Sequence, residues 1–350
     1  MIPTLHRPDD FSMTGLGLGA LTDCARCEVS EELNGGYSME LEYPICGKDY
    51  VKIGLGSIIK AIPIPYRKAQ PFYVTEINAS MGGKATVYAQ HISRKLEGIV
   101  MPPFSTVGIS QAINALRTKG MPTHEFRIEA ENYTDEGTAV QSETPIQLLE
   151  AMELVRQAFG GDWEYDGLSC TLRAARGGDS GVKIQYGKNL TSLKQTTSLD
   201  NMVTGVVPYW TKKENGSTVT VVGHLIQAGS GGKNIPLDLS RDFQQQPTAQ
   251  QLDEMAAVKL AEQTQSPETS LEVEFVELAS TLEYRHYQIL EQCDLGDVVM
   301  VTHQAMGVQE KTRVEKVVTD VLKGVYKSVT VGQILPTMTE YLSRIMGGKA

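Results

Sequence analysis

The sequence predicts a mainly β protein with a minority of helix (α+β), divided into several domains. Two observations carry this. Strand-type alternation recurs along the chain with glycine turns between the runs, and one strand-turn-strand pattern occurs twice, far apart. At 350 residues the chain is long enough for two or three domains. Its 41% apolar and 21% charged residues are those of a water-soluble globular protein.

The first element is the stretch Ser30 to Pro44, SEELNGGYSMELEYP. Tyr37, Met39, Leu41 and Tyr43 fall on one face of a strand, with Ser38, Glu40 and Glu42 on the other. A two-residue Asn-Gly turn would set Val29 opposite Glu40. A three-residue turn at Asn34-Gly35-Gly36, with glycine in the left-handed position, instead pairs Leu33 with Tyr37, Val29 with Leu41 and Cys27 with Tyr43. The spacing therefore predicts a hairpin with a bulged turn and one apolar face.

The repeat is the second element. Leu55-Gly56-Ser57-Ile58-Ile59 matches Leu295-Gly296-Asp297-Val298-Val299, and Val74-Thr75-Glu76-Ile77 stands as far beyond Gly56 as Val314-Glu315-Lys316-Val317 does beyond Gly296. Each copy then reaches a glycine turn (Gly82-Gly83, or Gly324) and a closing strand, Ala85–Ala89 or Lys327–Val331. Agreement of order, strand type and turn position predicts an internal duplication, with residues 50–90 and 290–332 sharing one strand arrangement. The runs Val203–Tyr209 and Thr218–Val222 around Asn215-Gly216 are expected to be the opening hairpin of the second copy. A polar stretch at 228–268 interrupts that copy and contains a helix started by the capping box Thr248/Gln251.

Between the copies, Ile109, Ile113 and Leu116 mark a short helix that stops at Gly120. Thr144-Pro145-Ile146-Gln147 reads as a cap, a first-turn proline and a capping-box glutamine before a helix bearing Leu148, Met152 and Val155, ended by Gly160. A hairpin turning at Asp166-Gly167 comes next. The expected organisation is a first β domain at 1–101 and an inserted α/β peripheral domain at 102–190, with 228–268 packed against it. A second β domain is expected from 191–227 and 269–335.

The last element is a helix at 336–350. Pro336 breaks the preceding strand, and Thr337 or Thr339 caps the helix after it. Met338, Tyr341, Leu342, Ile345 and Met346 recur at helical spacing as one apolar stripe, the candidate interaction site. So short a helix must bury its stripe, either on its own subunit or on a neighbouring one.

Motifs that suggest chemistry are weak. Gly15-Leu16-Gly17-Leu18-Gly19-Ala20 fits a loose dinucleotide fingerprint but lacks the preceding buried strand and the following helix. Gly178-Asp179-Ser180-Gly181 looks like a protease nucleophile segment without a histidine in a matching context. Cys24, Cys27 and Cys46 offer three thiols where a structural zinc needs four ligands. No catalytic residue, cofactor site or metal site is expected, and the chain reads as a non-enzyme. The net charge of -10, without a basic cluster, argues against specific nucleic-acid binding. No apolar run is long enough to span a membrane, the N-terminus does not look like a secretory signal, and five scattered cysteines do not form a disulfide framework.

Several segments in order resemble the N-terminal hub region of phage tail proteins, the family called phage minor structural protein or prophage tail endopeptidase. They are Cys27–Gly35, Tyr37–Pro44, Tyr186-Gly187-Lys188-Asn189-Leu190 and Val206-Val207-Pro208-Tyr209, and the resemblance runs from about residue 15 to 335. It implies two similar antiparallel β-barrel domains per chain, like the baseplate hub of contractile tails, and a homotrimer whose six barrels ring the tail tube. It implies a virion structural protein at the distal end of a phage or prophage tail, made in the host bacterial cytoplasm. The partners implied are the distal tail protein or tail tube ring, the tape measure protein and a downstream fibre or receptor-binding protein. DNA would pass through the channel, which the acidic charge suits. The alternatives are a tail-associated cell-wall hydrolase, as in relatives where this region is the N-terminal part of a lysin, and a monomeric carbohydrate- or receptor-binding module.

Overall fold

The structure is a computed structural model. It describes residues 1–334 apart from 12, 14, 64–66, 135–136, 186–189, 200–201, 215–216, 241, 244, 263–267, 276–292 and 304–307. The helix expected at 336–350 lies outside the described residues. Backbone contacts divide the chain into unit 1, Met1–Leu193 with Glu272–Ala350, and unit 2, Lys194–Leu271.

Unit 1 opens with β1 (Thr4–His6), β2 (Gly19–Ala20), β3 (Arg26–Glu32), β4 (Tyr37–Pro44), β5 (Ile58–Ala61), β6 (Gln70–Ala79) and β7 (Lys84–His91). The expected hairpin is β3–β4, but its register differs. Val29 faces Met39 and Cys27 faces Leu41, and the loop is Leu33-Asn34-Gly35, closed by Glu32 N–H donating to Gly36 O at 2.8 Å. The left-handed residue is Asn34 (φ 54), not a glycine. Asparagine tolerates this conformation, and its side chain is engaged by Asp162 and Trp163. The shift moves every partner by two residues, so the inner face survives: Cys27, Val29, Tyr37, Met39, Leu41 and Tyr43 are all buried.

A short connector carries the smaller elements: β8 (Val100–Met101), β9 (Phe104–Val107), α1 (Ile109–Thr118), β10 (Arg127–Glu131), β11 (Ala139–Ser142), β12 (Ile146–Gln147), α2 (Leu148–Phe159), β13 (Asp162–Asp166) and β14 (Ser169–Arg173). They enclose an apolar cluster of their own, in which Ile113 and Leu116 of α1 meet Met152 and Val155 of α2. Gly160, at φ 73, ends α2 as expected. The expected capping box does not form. Ile146 and Gln147 pair with β8, and the first amide of α2, Leu148 N–H, donates to Ile99 O at 2.8 Å. A tertiary carbonyl has taken the place of a local side-chain cap.

The chain continues through β15 (Asp179–Gln185) and β16 (Leu190–Ser198), passes into unit 2 within β16 and leaves it within β21 (Glu268–Phe275), and then runs through β22 (Val298–His303), β23 (Val308–Asp320) and β24 (Val325–Ile334). Strand order in the large sheet makes the duplication explicit. One run is β3, β4, β7, β6, β5, β1; the other is β16, β21, β24, β23, β22, β15, in the same order. Gly56 N–H donates to Val74 O and Val74 N–H to Ser57 O, at 2.8 and 2.9 Å. Gly296 N–H donates to Val314 O and Val314 N–H to Asp297 O, both at 2.8 Å. The two glycines sit at φ 80 and 89, a conformation other residues rarely adopt. Ile58 faces Tyr73 as Val298 faces Arg313, and a bulge comes after Val74 as one comes after Val314. The sixth strands differ, since β1 runs antiparallel to β5 and β15 parallel to β22. The two runs join where β3 pairs with β23, Val29 facing Thr319 and Glu31 facing Val317.

The opening strands of the second copy are therefore β16 and β21, not the hairpin at 203–222. That hairpin, β17 (Val203–Glu214) and β18 (Ser217–Val222), belongs to the separate sheet of unit 2 with β19 (Ile226–Gln227) and β20 (Lys233–Asp238). Glu214 faces Ser217, as the Asn-Gly turn signal requires. The turn was legible, but turn chemistry carries no information about which sheet a hairpin joins. In the chain, β17–β20 and a helix follow β16 and precede β21, where the first copy has a three-residue loop. The helix of unit 2, α3 (Ala249–Glu262), starts on the expected capping box: Thr248 N–H donates to Gln251 Oε1 at 2.9 Å and Gln251 N–H to Thr248 Oγ1 at 3.3 Å. Ala256 and Leu260 of α3 pack on Val206, and Leu252 on Trp210, so α3 covers the sheet of unit 2.

Candidate functional site

The inward alternation of β3 places Glu31 after Cys27 and Val29, where an apolar residue would be expected. A buried carboxylate needs partners. Glu31 receives Arg176 Nη2 at 2.7 Å and Arg67 Nη1 at 2.8 Å, and Arg67 Nε reaches Asp294 Oδ2 at 2.8 Å. Alongside, Asp162 Oδ2 accepts from Arg313 Nη2 at 2.5 Å and from Arg176 N–H at 3.0 Å, and its Oδ1 accepts from Asn34 Nδ2 at 2.8 Å. Arg313 also donates to Gly296 O at 3.0 Å and Arg176 O at 2.7 Å. Burial pushes the Asp162 carboxyl up, but the bonds from Arg313, the Arg176 amide and Asn34 outweigh it and hold it below the usual range. Asp297 moves the other way: burial raises it, although its Oδ1 accepts Gly178 N–H at 2.9 Å.

These groups come from three regions: the first-copy hairpin (Glu31, Asn34), the peripheral strands and the turn after them (Asp162, Arg176), and the second-copy frame (Asp294, Gly296, Arg313). Asn34 completes the contact through Oδ1, which accepts Trp163 N–H at 2.8 Å. The cluster is a rigid polar joint at the seam of the duplication. Nothing in it has the pairing of nucleophile and base that group transfer needs. In the sequence the only trace of it was Glu31, a charge at an inward-facing position.

A second buried polar group is His91, stacked on Tyr37 with ring centroids 4.4 Å apart and an interplanar angle of 19°. Its Nε2 faces Gln70 Oε1 at 3.1 Å, and Nδ1 lies 2.9 Å from Ser93 Oγ. With Nε2 carrying the proton, both bonds are satisfied by the neutral ring. Burial holds its pKa down at about 3, so the ring stays uncharged at neutral pH.

The weak motifs resolve into structure. Gly17 (φ 67) lies in the β1–β2 turn, where Leu18 N–H donates to Leu5 O at 2.6 Å and a strand, β3, comes next. Ser180 Oγ donates to Val298 O at 3.1 Å as part of the β15–β22 edge. All five cysteines are free, and Cys27 belongs to the hairpin core. Among the described residues, no group of three or more potential ligands could hold a metal ion. No helix among them is long and apolar enough to cross a membrane. The candidate stripe Met338, Tyr341, Leu342, Ile345 and Met346 lies outside the described residues, so the structure does not place it.

Three solved structures illustrate what the chain is similar to. A prophage tail protein of Listeria monocytogenes EGD-e, gp18, superposes with a TM-score of 0.60 at 14% identity, covering 99% of each chain. A 43 kDa tail protein of prophage MuSo2 from Shewanella oneidensis gives 0.61 at 12% identity over 95% of this chain and 98% of that one. The tail protein from Neisseria meningitidis MC58 gives 0.61 at 9% identity over 95% and 96%. No curated protein matches by sequence. Residues 178–342 match the sequence model of the prophage endopeptidase tail family. The resemblance to phage tail proteins is thus found twice over: the chain has the fold of prophage tail proteins along nearly its whole length, and its C-terminal half carries the sequence pattern of the prophage endopeptidase tail family.

Proposed function

We propose that the protein is a structural hub of a phage or prophage tail, a homotrimer whose six copies of the duplicated frame form a pseudo-six-fold ring at the distal end of the tail tube. The observation that carries this reading is the duplication itself. Two copies of one strand order, with the same glycine-to-valine hydrogen bonds and the same bulge, are joined edge to edge in one chain. Three such chains present six equivalent units, which matches a six-fold tube to a three-fold object. In this reading each copy curls into one barrel, the first from β1 and β3–β7 and the second from β15, β16 and β21–β24, and the peripheral elements β8–β14 hang outside. The distal tail or tube protein, the tape measure protein and a downstream fibre or receptor-binding protein would dock on its faces. DNA would pass through an acidic or neutral channel that does not retain it.

Solution mass and electron microscopy of the purified chain test the proposal. A three-fold particle with six similar lobes is expected; a particle of any other symmetry refutes it. The name of the matched family favours a second reading, a tail-associated peptidase. Turnover of purified peptidoglycan, abolished by one side-chain substitution, would establish it.

A further inference from the structure

We infer that neighbouring chains are joined by the same strand pairing that joins the two copies within a chain, with β16 of one chain added to the exposed end of β6 in the next. The inference rests on the proposed ring and names the joint that would close it.

The template is the β3–β23 contact. β22 pairs with β23 only up to Arg313, and β3 takes the vacated edge from Lys316 to Asp320. The outer bonds of this joint are Leu33 N–H to Glu315 O at 2.7 Å and Val321 N–H to Cys27 O at 2.9 Å. β6 repeats the situation. β5 pairs with it only up to Tyr73, while β7 holds the opposite edge out to Ala79. Among the described residues, no strand covers the edge of β6 beyond Tyr73. By the same alternation Ile77, Ala79 and Met81 present their N–H groups there, as Val317, Thr319 and Val321 do in the second copy.

Burial supports the comparison position by position. Val317, Thr319 and Val321 are 4%, 1% and 0% exposed beneath β3. Their counterparts are uncovered: Ile77 is half-buried, Ala79 exposed and Met81 fully exposed at 108%. An apolar residue in full contact with water beside an unpaired strand edge is a site that folded proteins cover or pair. The complementary strand is at the other end of the same sheet. β16 occupies in the second copy the place of β3 in the first, and among the described residues the strand order ends there. Each chain thus has one vacant edge and one strand of the type that fills it. Such a contact is heterologous, so successive chains run head to tail, and with the rotation of the proposed three-fold object they close as a ring.

The test uses the full chain. Equal amounts of isotopically light and heavy protein are mixed, allowed to assemble and cross-linked through lysines. Mixed-isotope links between Lys84, at the β6–β7 tip, and Lys194, on β16, are expected. Ala79→Pro removes one edge N–H, and Met81→Lys places a charge at the uncovered position. Either should weaken assembly at least tenfold while circular dichroism and thermal unfolding of the dissociated chain stay unchanged. Should Ala79→Pro fail to fold, Met81→Lys and the cross-links on unaltered protein still decide. An assembled particle without mixed Lys84–Lys194 links, and insensitive to both substitutions, overturns this joint but leaves the ring. A chain that stays monomeric at the highest attainable concentration overturns both.

Discussion

Replacing Glu31 by leucine should destabilise unit 1 by about 4 kcal/mol, because it leaves a buried guanidinium without its carboxylate. Arg176 is 6% exposed, and its contact with Glu31 is 2.7 Å. Arg67 suffers less, since it keeps Asp294 at 2.8 Å. Arg176→Met should cost only about 2 kcal/mol, because Glu31 then still holds Arg67. The double variant should cost about 1–2 kcal/mol, since both ends of the buried contact go together and the Arg67–Asp294 pair remains. The cycle therefore gives a coupling of about 4–5 kcal/mol, far outside the ~0.5 kcal/mol within which independent sites add. The chain supplies a convenient reporter, since one of its two tryptophans lies in each unit. In a Trp210→Phe background, Trp163 fluorescence tracks unit 1 through a urea titration. Additivity of the two substitutions would refute the claim that Glu31 and Arg176 form one electrostatic unit.

Other groups in the structure lead to three further expected outcomes. His91 has a folded pKa of about 3 against 6.5 for the free side chain, so the unfolded chain binds the extra proton between those values. Stability from this group is full above pH 6.5 and falls by about 1.4 kcal/mol per pH unit below it, toward pH 3; the pH slope of the unfolding free energy should flatten in His91→Gln, and equal slopes would contradict the assignment. Asn34→Gly keeps the left-handed backbone but loses the bonds to Asp162 and Trp163 N–H, and should cost about 1–3 kcal/mol by the same fluorescence assay. Deleting residues 337–350 should leave cooperative thermal unfolding intact and weaken assembly measured by solution mass if the apolar stripe read from the sequence at Met338, Tyr341, Leu342, Ile345 and Met346 is buried on a neighbouring subunit; loss of cooperative unfolding would assign it to its own subunit.

Local periodicity made much of the fold legible. The inner face of β3–β4 follows from alternation alone, and it survived a two-residue error in register because parity decides the face while the loop decides the partner. The duplication was readable because the backbone at Gly56 and Gly296 strongly favours glycine, and such a position leaves a mark at constant spacing. What stayed hidden depends on distant partners. Pairing of β16 with β21 skips roughly 70 residues, while the Asn-Gly hairpin among them offers a stronger local signal. The polar joint was equally silent, because Arg67, Arg176 and Arg313 look like ordinary surface arginines until Glu31 and Asp162 are set beside them.

Inserting β17–β20 and α3 between β16 and β21 in the chain gives the two copies different folding histories. In the first copy β3 meets β4 across three residues, a closure that local chain motion completes quickly. In the second, the equivalent strands are separated by roughly 70 residues, and the entropy of bringing their ends together grows with the logarithm of that length. If the intervening chain has already folded, its ends are held near each other and this cost falls away. The second frame should then form only after unit 2 has folded, and during synthesis the first copy would stand complete while β16 waits for its partner. A substitution that unfolds unit 2, such as one opening the contact between Trp210 and Leu252, should consequently slow the folding of a sheet in which neither residue takes part.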